Sequence, residues 1–170
     1  MYWLYWHSKN EIPYNVNLLI NNFKKKLKNI NIINDNNINQ YIDIVDTTNI
    51  NHIAQKADYY RAKLLYTYGG IWLDIDTIML ENIDYLYDNL LHSDKEVCIS
   101  TSELKDTNVC LQYLISKPNS KIFKLWYLKI EKYINNNIDI SYAFFGNLLA
   151  SIINNNNLIN TILPFPNKIT

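Results

Sequence analysis

An α/β fold with a mostly parallel central sheet in one compact domain is what this sequence predicts, on three observations. Short β-branched and aromatic runs alternate with longer segments whose apolar residues recur at helical spacing. Two of the three glycines, Gly69 and Gly70, stand side by side between such a helix and such a strand. The length of 170 residues and an apolar fraction of 48% suit a single packed core.

Tyr2 to Trp6 is the first strand, an aromatic run followed by polar residues from His7 to Glu11. Pro13 suits the first turn of a helix whose apolar stripe is Val16, Leu19, Ile20, Phe23 and Leu27. Lys24, Lys25, Lys26 and Lys28 cluster at its end, where cations complement the helix dipole; they read as a solvated helix end rather than a binding patch. Ile30 to Ile33 is a second strand, and Asn36 to Ile42 a short helical or looped segment. Asp46 to Asn51 connects to the central helix, with Thr48 or Asn51 as candidate caps.

The central helix carries Ala54, Ala57, Leu64, Leu65 and Tyr68 at core spacing. Asp58, Arg61 and Leu65 fall at i, i+3 and i+7, so the acid and the guanidinium share one face. Gly69 takes the left-handed position that ends the helix, and Gly70 lets the chain turn back closely. Ile71 to Leu73 is then a strand running into Asp74-Ile75-Asp76. Continued extended backbone would point both carboxylates the same way and Ile75 back to the core. Two such carboxylates repel unless a cation lies near, and Mg²⁺ or Mn²⁺ takes oxygen ligands of this kind.

Thr77 to Leu80 is expected to continue as a strand, and Ile83 to Leu91 as a short helix. Val97 to Ser100 and Val109 to Ile115 are expected strands around a polar loop, Ser102 to Asn108. Pro118 would start a helix that buries Ile122, Leu125, Trp126, Ile130 and Tyr133. The last helix spans about Asp139 to Ile153, where Gly146 would permit close packing against a neighbour or a ligand, compatible with a homo-oligomer. The final LPFPNKIT is extended.

The joint pattern A-x3-D-x2-R-x7-G-G-x3-D-x-D, carried by Ala54, Asp58, Arg61, Gly69, Gly70, Asp74 and Asp76, resembles the signature of DXD-type sugar-nucleotide glycosyltransferases. The likeness is to the capsular polysaccharide synthesis family, with the related initiating mannosyltransferases and clostridial glucosylating toxins. Many relatives carry Ser where this chain has Ala57. The resemblance implies a nucleotide-sugar-binding α/β/α sandwich of the GT-A type, with ligands at the carboxyl ends of the strands. It implies a hexosyltransferase moving sugar from a nucleoside diphosphate sugar to a glycan, protein or other hydroxyl acceptor with retained configuration. Residues 1–170 would be its catalytic domain, minimal or short of C-terminal parts, since relatives usually run longer.

By that resemblance Asp76 is the direct ligand of Mn²⁺ or Mg²⁺, and Asp74 contacts the ribose or a metal-bound water. Asp58 and Arg61 hold sugar hydroxyls, Arg61 also reaching diphosphate oxygens. Trp6, or failing that Tyr5, stacks on the nucleobase, and Asn108 lies on the acceptor side. Core packing for Trp6 and a surface ion pair for Asp58 and Arg61 are the structural alternatives. A two-metal nucleotidyltransferase also places D-x-D after glycines but needs a third carboxylate. A catalytically silent sugar-nucleotide- or glycan-binding module is the remaining alternative.

Sixteen basic and 16 acidic residues leave no general electrostatic footprint for nucleic acid or an anionic membrane. The N-terminus lacks the basic and apolar regions of a signal peptide, and no run approaches transmembrane length. Cys98 and Cys110, with no histidine at ligand spacing, read as free thiols in a reducing compartment. A soluble cytoplasmic protein is the expectation.

Overall fold

The computed structural model describes residues 1–7, 12–50, 52–99, 109–136, 138 and 141–165. In chain order it contains β1 (Tyr2–Tyr5), α1 (Tyr14–Lys26), β2 (Ile30–Ile33), α2 (Ile53–Tyr68), β3 (Gly70–Leu73), α3 (Asp84–Leu91), β4 (Val97–Ile99), β5 (Tyr113–Ser116), α4 (Lys121–Asn135), α5 (Phe144–Asn155) and β6 (Ile162–Pro164). Short 3-10 turns lie at Ile38–Gln40 and Leu158–Thr161.

The strands form one sheet in the order β2-β1-β3-β5-β4-β6. β1 runs parallel to β2 and β3, and β4 parallel to β6. β5 is antiparallel to both its neighbours, β3 and β4. All of these strands except β5 therefore run in one direction, so the sheet is mostly parallel with a single reversed strand between β3 and β4. β1 and β3 are buried on both faces, which explains their continuous apolar sequence. Tyr2 and Leu4 of β1, with Ile71 and Leu73 of β3, pack on Phe23, Leu86 and Leu90 of α1 and α3. Trp3, Tyr5 and Trp72 face the other layer, where α2, α4 and α5 supply Leu64, Trp126 and Leu149.

Several expected elements shift. Thr77 to Leu80 is not a strand: Met79 is buried and pairs through its backbone N–H and C=O with the Asn22 side chain at 2.9 and 3.2 Å, so a side-chain amide stands where a neighbouring strand would. β5 begins at Tyr113 rather than Val109. α4 is capped by Ser120, whose Oγ accepts from the Phe123 N–H, three residues after the helix expected at Pro118. α2 has no side-chain cap; Thr48 instead donates its backbone N–H to Asp46, and Asn51 lies outside the described residues. Ser100, the loop from Ser102 to Asn108, Asp139 and the tail from Pro166 also lie outside them.

The glycine pair is demanded by backbone. Gly69 has φ +66°, and a Cβ there would sit 2.7 Å from the Ser116 carbonyl oxygen; Gly70 has φ +97°, with a Cβ 2.6 Å from the Met1 carbonyl oxygen. Gly146 makes no such demand, because its Cβ would meet Leu111 Cδ1 at an ordinary 3.5 Å. Gly69→Ala and Gly70→Ala should each lower stability by about 1–3 kcal/mol or more, since strain adds to a clash with immobile backbone. Gly146→Ala should be neutral or stabilising by up to about 1 kcal/mol through helix propensity. Urea midpoints for the three variants check this, and a Gly69→Ala protein as stable as the parent would contradict the backbone account.

Candidate active site

β1 and β3 are parallel neighbours, so their C-terminal ends open on the same edge of the sheet. There a cleft of about 690 Å³ is bordered by Tyr5 at the end of β1 with Trp6 and His7 beyond it, by Asp74, Ile75 and Asp76 after β3, and by Ala54, Ala57 and Arg61 of α2. Its size suits a sugar nucleotide or a drug-sized ligand.

The centre of the site is Arg61. Its side chain is 5% exposed and the Asp58 side chain 6%, so neither belongs to a surface ion pair. Arg61 Nη2 lies 3.3 Å from Asp58 Oδ1 and 3.3 Å from Asp74 Oδ1. Nη1 donates to the Leu111 carbonyl, Nε donates to the Ala57 carbonyl, and the guanidinium carbon sits 5.0 Å from the centre of the Trp72 ring. The Trp72 indole N–H in turn donates to Asp74 Oδ1 at 2.9 Å. One cation thus gathers a helix carboxylate, a strand-end carboxylate, an aromatic face and two carbonyls.

Burial pushes the Asp58 carboxyl up to about 7, against the pull of Arg61 and with a further push from Asp74. Burial also raises Asp74; Arg61 and the Trp72 N–H oppose this, and Asp76 adds to it. The two carboxylates of the D-x-D come together by a turn and not by strand alternation. β3 ends at Leu73, the Asp74 N–H still bonds to the Gln112 carbonyl at 2.8 Å, and the Thr77 N–H then closes back on the Asp74 carbonyl. Ile75 borders the cleft and, partly buried, also packs against the core layer of α1 and α3. Asp76 is exposed, with no hydrogen bond or ion pair to hold its carboxylate among the described residues.

The two aromatics differ. Tyr5 is buried, donates its hydroxyl to Asp35 Oδ1 at 2.7 Å and meets the Tyr60 ring edge-on. Burial, then Asp35, drives its phenol far above the usual range. Trp6 is half-buried, and its indole N–H is enclosed yet has no partner among the described residues. His7, missed in the sequence, joins them with Nδ1 2.8 Å from Asp35 Oδ2.

The structure therefore brings Tyr5, Trp6, Arg61, Asp74 and Asp76 to one cleft. Asp58 stands behind Arg61 and does not border the cleft, and Asn108 lies outside the described residues. Nothing in the sequence marks the Leu111 carbonyl, because any residue carries one. Trp72 was legible as the residue one strand period before Asp74.

Against this geometry, comparison with known proteins gives one decisive result: the sequence profile described as capsular polysaccharide synthesis protein matches residues 1–168. The chain belongs to that family. A solved structure titled "PaToxG Glycosyltransferase" is similar in fold, with a TM-score of 0.60 over 91% of this chain and 67% of that one at 16% identity. No curated protein sequence gives a significant match. Family and fold bear out the resemblance to glycosyltransferases read from the helix-turn-strand pattern. No helix among the described residues is long and apolar enough to cross a membrane.

The raised Asp58 carboxyl has a measurable consequence. Between the ordinary carboxylate range and about 7, the folded protein holds a proton that the unfolded chain has released, so stability falls as pH rises through that window. Asp58→Asn mimics the protonated acid, and its melting temperature should fall less between pH 5 and pH 8 than that of the parent. Parallel melting curves for the two would mean that Asp58 is ionised throughout.

Proposed function

We propose that this chain transfers a sugar from a nucleoside diphosphate sugar to a hydroxyl acceptor, with a divalent cation bound by Asp76 and Asp74. The observation that supports it most is the convergence of both carboxylates, Arg61 and Trp6 on one cleft at the sheet's carboxyl edge. The donor set fits the hard cation. Among the described residues no three His, Cys, Asp or Glu side chains cluster as a closed metal cage. Mg²⁺ and Mn²⁺ in such sites typically use one or two carboxylates and complete their shell with water and diphosphate oxygens. When bound, the ion supplies Lewis-acid stabilisation of the departing diphosphate.

The chain's own residues do the rest. Asp76, without a partner among the described residues, is available as the direct ligand, while Asp74 is held in place by Arg61 and Trp72. Arg61, already fixed on five sides, presents a preorganised positive charge to the diphosphate and sugar, which is where negative charge grows as the glycosidic bond breaks. Asp58 acts through Arg61 as a positioning residue. Trp6 offers the nucleobase a ring face and an indole N–H with no partner among the described residues, whereas Tyr5, tied to Asp35, forms the wall beneath. The resemblance to retaining families suggests retention of configuration, and a reducing cytoplasmic setting suits Cys98 and Cys110, which are not joined in a disulfide.

Asp76→Asn should abolish Mn²⁺-dependent release of nucleoside diphosphate from sugar nucleotides without lowering the melting temperature, since an exposed carboxylate is changed and no core volume is lost. Full turnover in the variant would place the metal elsewhere. Pyrophosphate release from nucleoside triphosphates would instead identify a nucleotidyltransferase, and binding without turnover a silent module. Trp6→Ala should weaken donor binding by about 1–3 kcal/mol if the ring stacks on the base. Calorimetric titration that finds parental affinity in a folded variant returns Trp6 to the core.

A further inference from the structure

Directly after the D-x-D turn the chain shows an apolar surface that the packing does not use. Met79 is buried between α1 and the sheet, but its neighbours Ile78 and Leu80 point outward and are 65% and 83% exposed. This segment is not loose. The two hydrogen bonds between Asn22 of α1 and the Met79 backbone hold it, and the Asn82 side chain donates to the Lys26 carbonyl at 3.2 Å. Two large aliphatic side chains are therefore held in water beside the last turn of α1.

That turn carries Lys24, Lys25 and Lys26, with Lys28 just beyond, all exposed and none in an ion pair among the described residues. Lys25 and Lys26 lie three and four residues after Asn22, so they share the helix face that meets the segment. Glu81 and Asp84 lie close by, and Asp84 is already engaged by the Tyr2 hydroxyl and the Asn82 side chain. Beside the segment an apolar cleft of about 300 Å³ is bordered by Leu73, Ile83, Tyr113 and Phe165. The balanced charge of the whole chain conceals this local excess of lysine.

We propose that the Ile78–Leu80 segment and the lysines of α1 form a docking surface for an anionic lipid bilayer, with Ile78 and Leu80 entering the headgroup boundary. Aliphatic tips with lysines along one side match such a surface: the tips gain by leaving water, and each lysine near an anionic headgroup layer contributes a factor of about five. A protein partner fits less well, because protein–protein interfaces are depleted in lysine relative to the rest of the surface. The segment runs from the D-x-D turn along α1 to the edge where β1 and β2 begin, opposite the cleft, so a docked lysine end leaves the mouth of the cleft uncovered.

The test is co-sedimentation of the chain with vesicles of equal parts phosphatidylglycerol and phosphatidylcholine, and with vesicles of phosphatidylcholine alone, at low and high salt. Binding is expected to the anionic vesicles only, to weaken steeply with salt, and to fall by roughly twenty-fold or more in Lys25→Gln/Lys26→Gln at about fivefold per lysine. Ile78→Ser/Leu80→Ser should lose binding while keeping the parental melting temperature and any release of nucleoside diphosphate. Because vesicle binding needs no turnover, failure of the glycosyl-transfer reading leaves this result intact. The proposal is overturned by absence of binding to anionic vesicles at low salt, by equal binding to neutral vesicles, or by a double serine variant that binds like the parent. Concentration-dependent self-association that the serine variant abolishes, without vesicle binding, would also overturn it and assign the surface to a second copy.

Discussion

The buried guanidinium of Arg61 is the interaction on which the site depends. A charge taken out of water costs several kcal/mol unless its partners are close and well placed. Here two carboxylates, two carbonyls and the Trp72 ring meet that cost, and they belong to α2, β3 and the chain leading into β5. The same contacts that make the burial tolerable therefore fix the distance between helix and strand end. Asp74 owes its position to Arg61, while Asp76, one turn further, is left to solvent and ligand.

The glycine hinge makes that arrangement reachable. Ending α2 at Gly69 and starting β3 at Gly70 leaves no intervening loop, so Arg61 and Asp74 are set by the helix axis and the strand direction rather than by a flexible connection. Rigid elements place reacting groups more accurately than loops do. In contrast, the aromatic side of the cleft rests on the end of β1 and the short stretch after it, where Tyr5 is tied to Asp35 and Trp6 has an indole N–H to spare among the described residues.

What could be read in the sequence follows from which forces are local. α2, the glycine pair and β3 were legible because helical spacing, positive φ and a buried apolar run each leave a mark within a few residues. The mixed sheet was less so: nothing in the β5 residues records that they enter antiparallel between β3 and β4, since a strand buried on both faces reads alike in either direction. Thr77 to Leu80 misled because its composition suits a strand, whereas the backbone partner is the Asn22 side chain, distant in sequence. The roles of Asp58 and Arg61 as a buried pair, and not a surface pair, depend on the Leu111 carbonyl and on β5 closing over them, which no spacing reveals.

The pairing of β1 with β3 also bears on the order in which the site can assemble. Asp58, Arg61, Asp74 and Asp76 sit within one helix-turn-strand unit, so they can meet once a short loop closes, whereas Trp6 reaches them only across a separation of more than fifty residues. Loop closure over the longer distance costs more entropy and slows the late step of folding. The charged half of the cleft, Arg61, Asp74 and Asp76, therefore belongs to a contiguous piece of chain, and the aromatic half, Tyr5 and Trp6, is added when the sheet closes. Residues after β1 can accordingly be exchanged without touching the Arg61 cluster, because none of the contacts of that guanidinium among the described residues is with them.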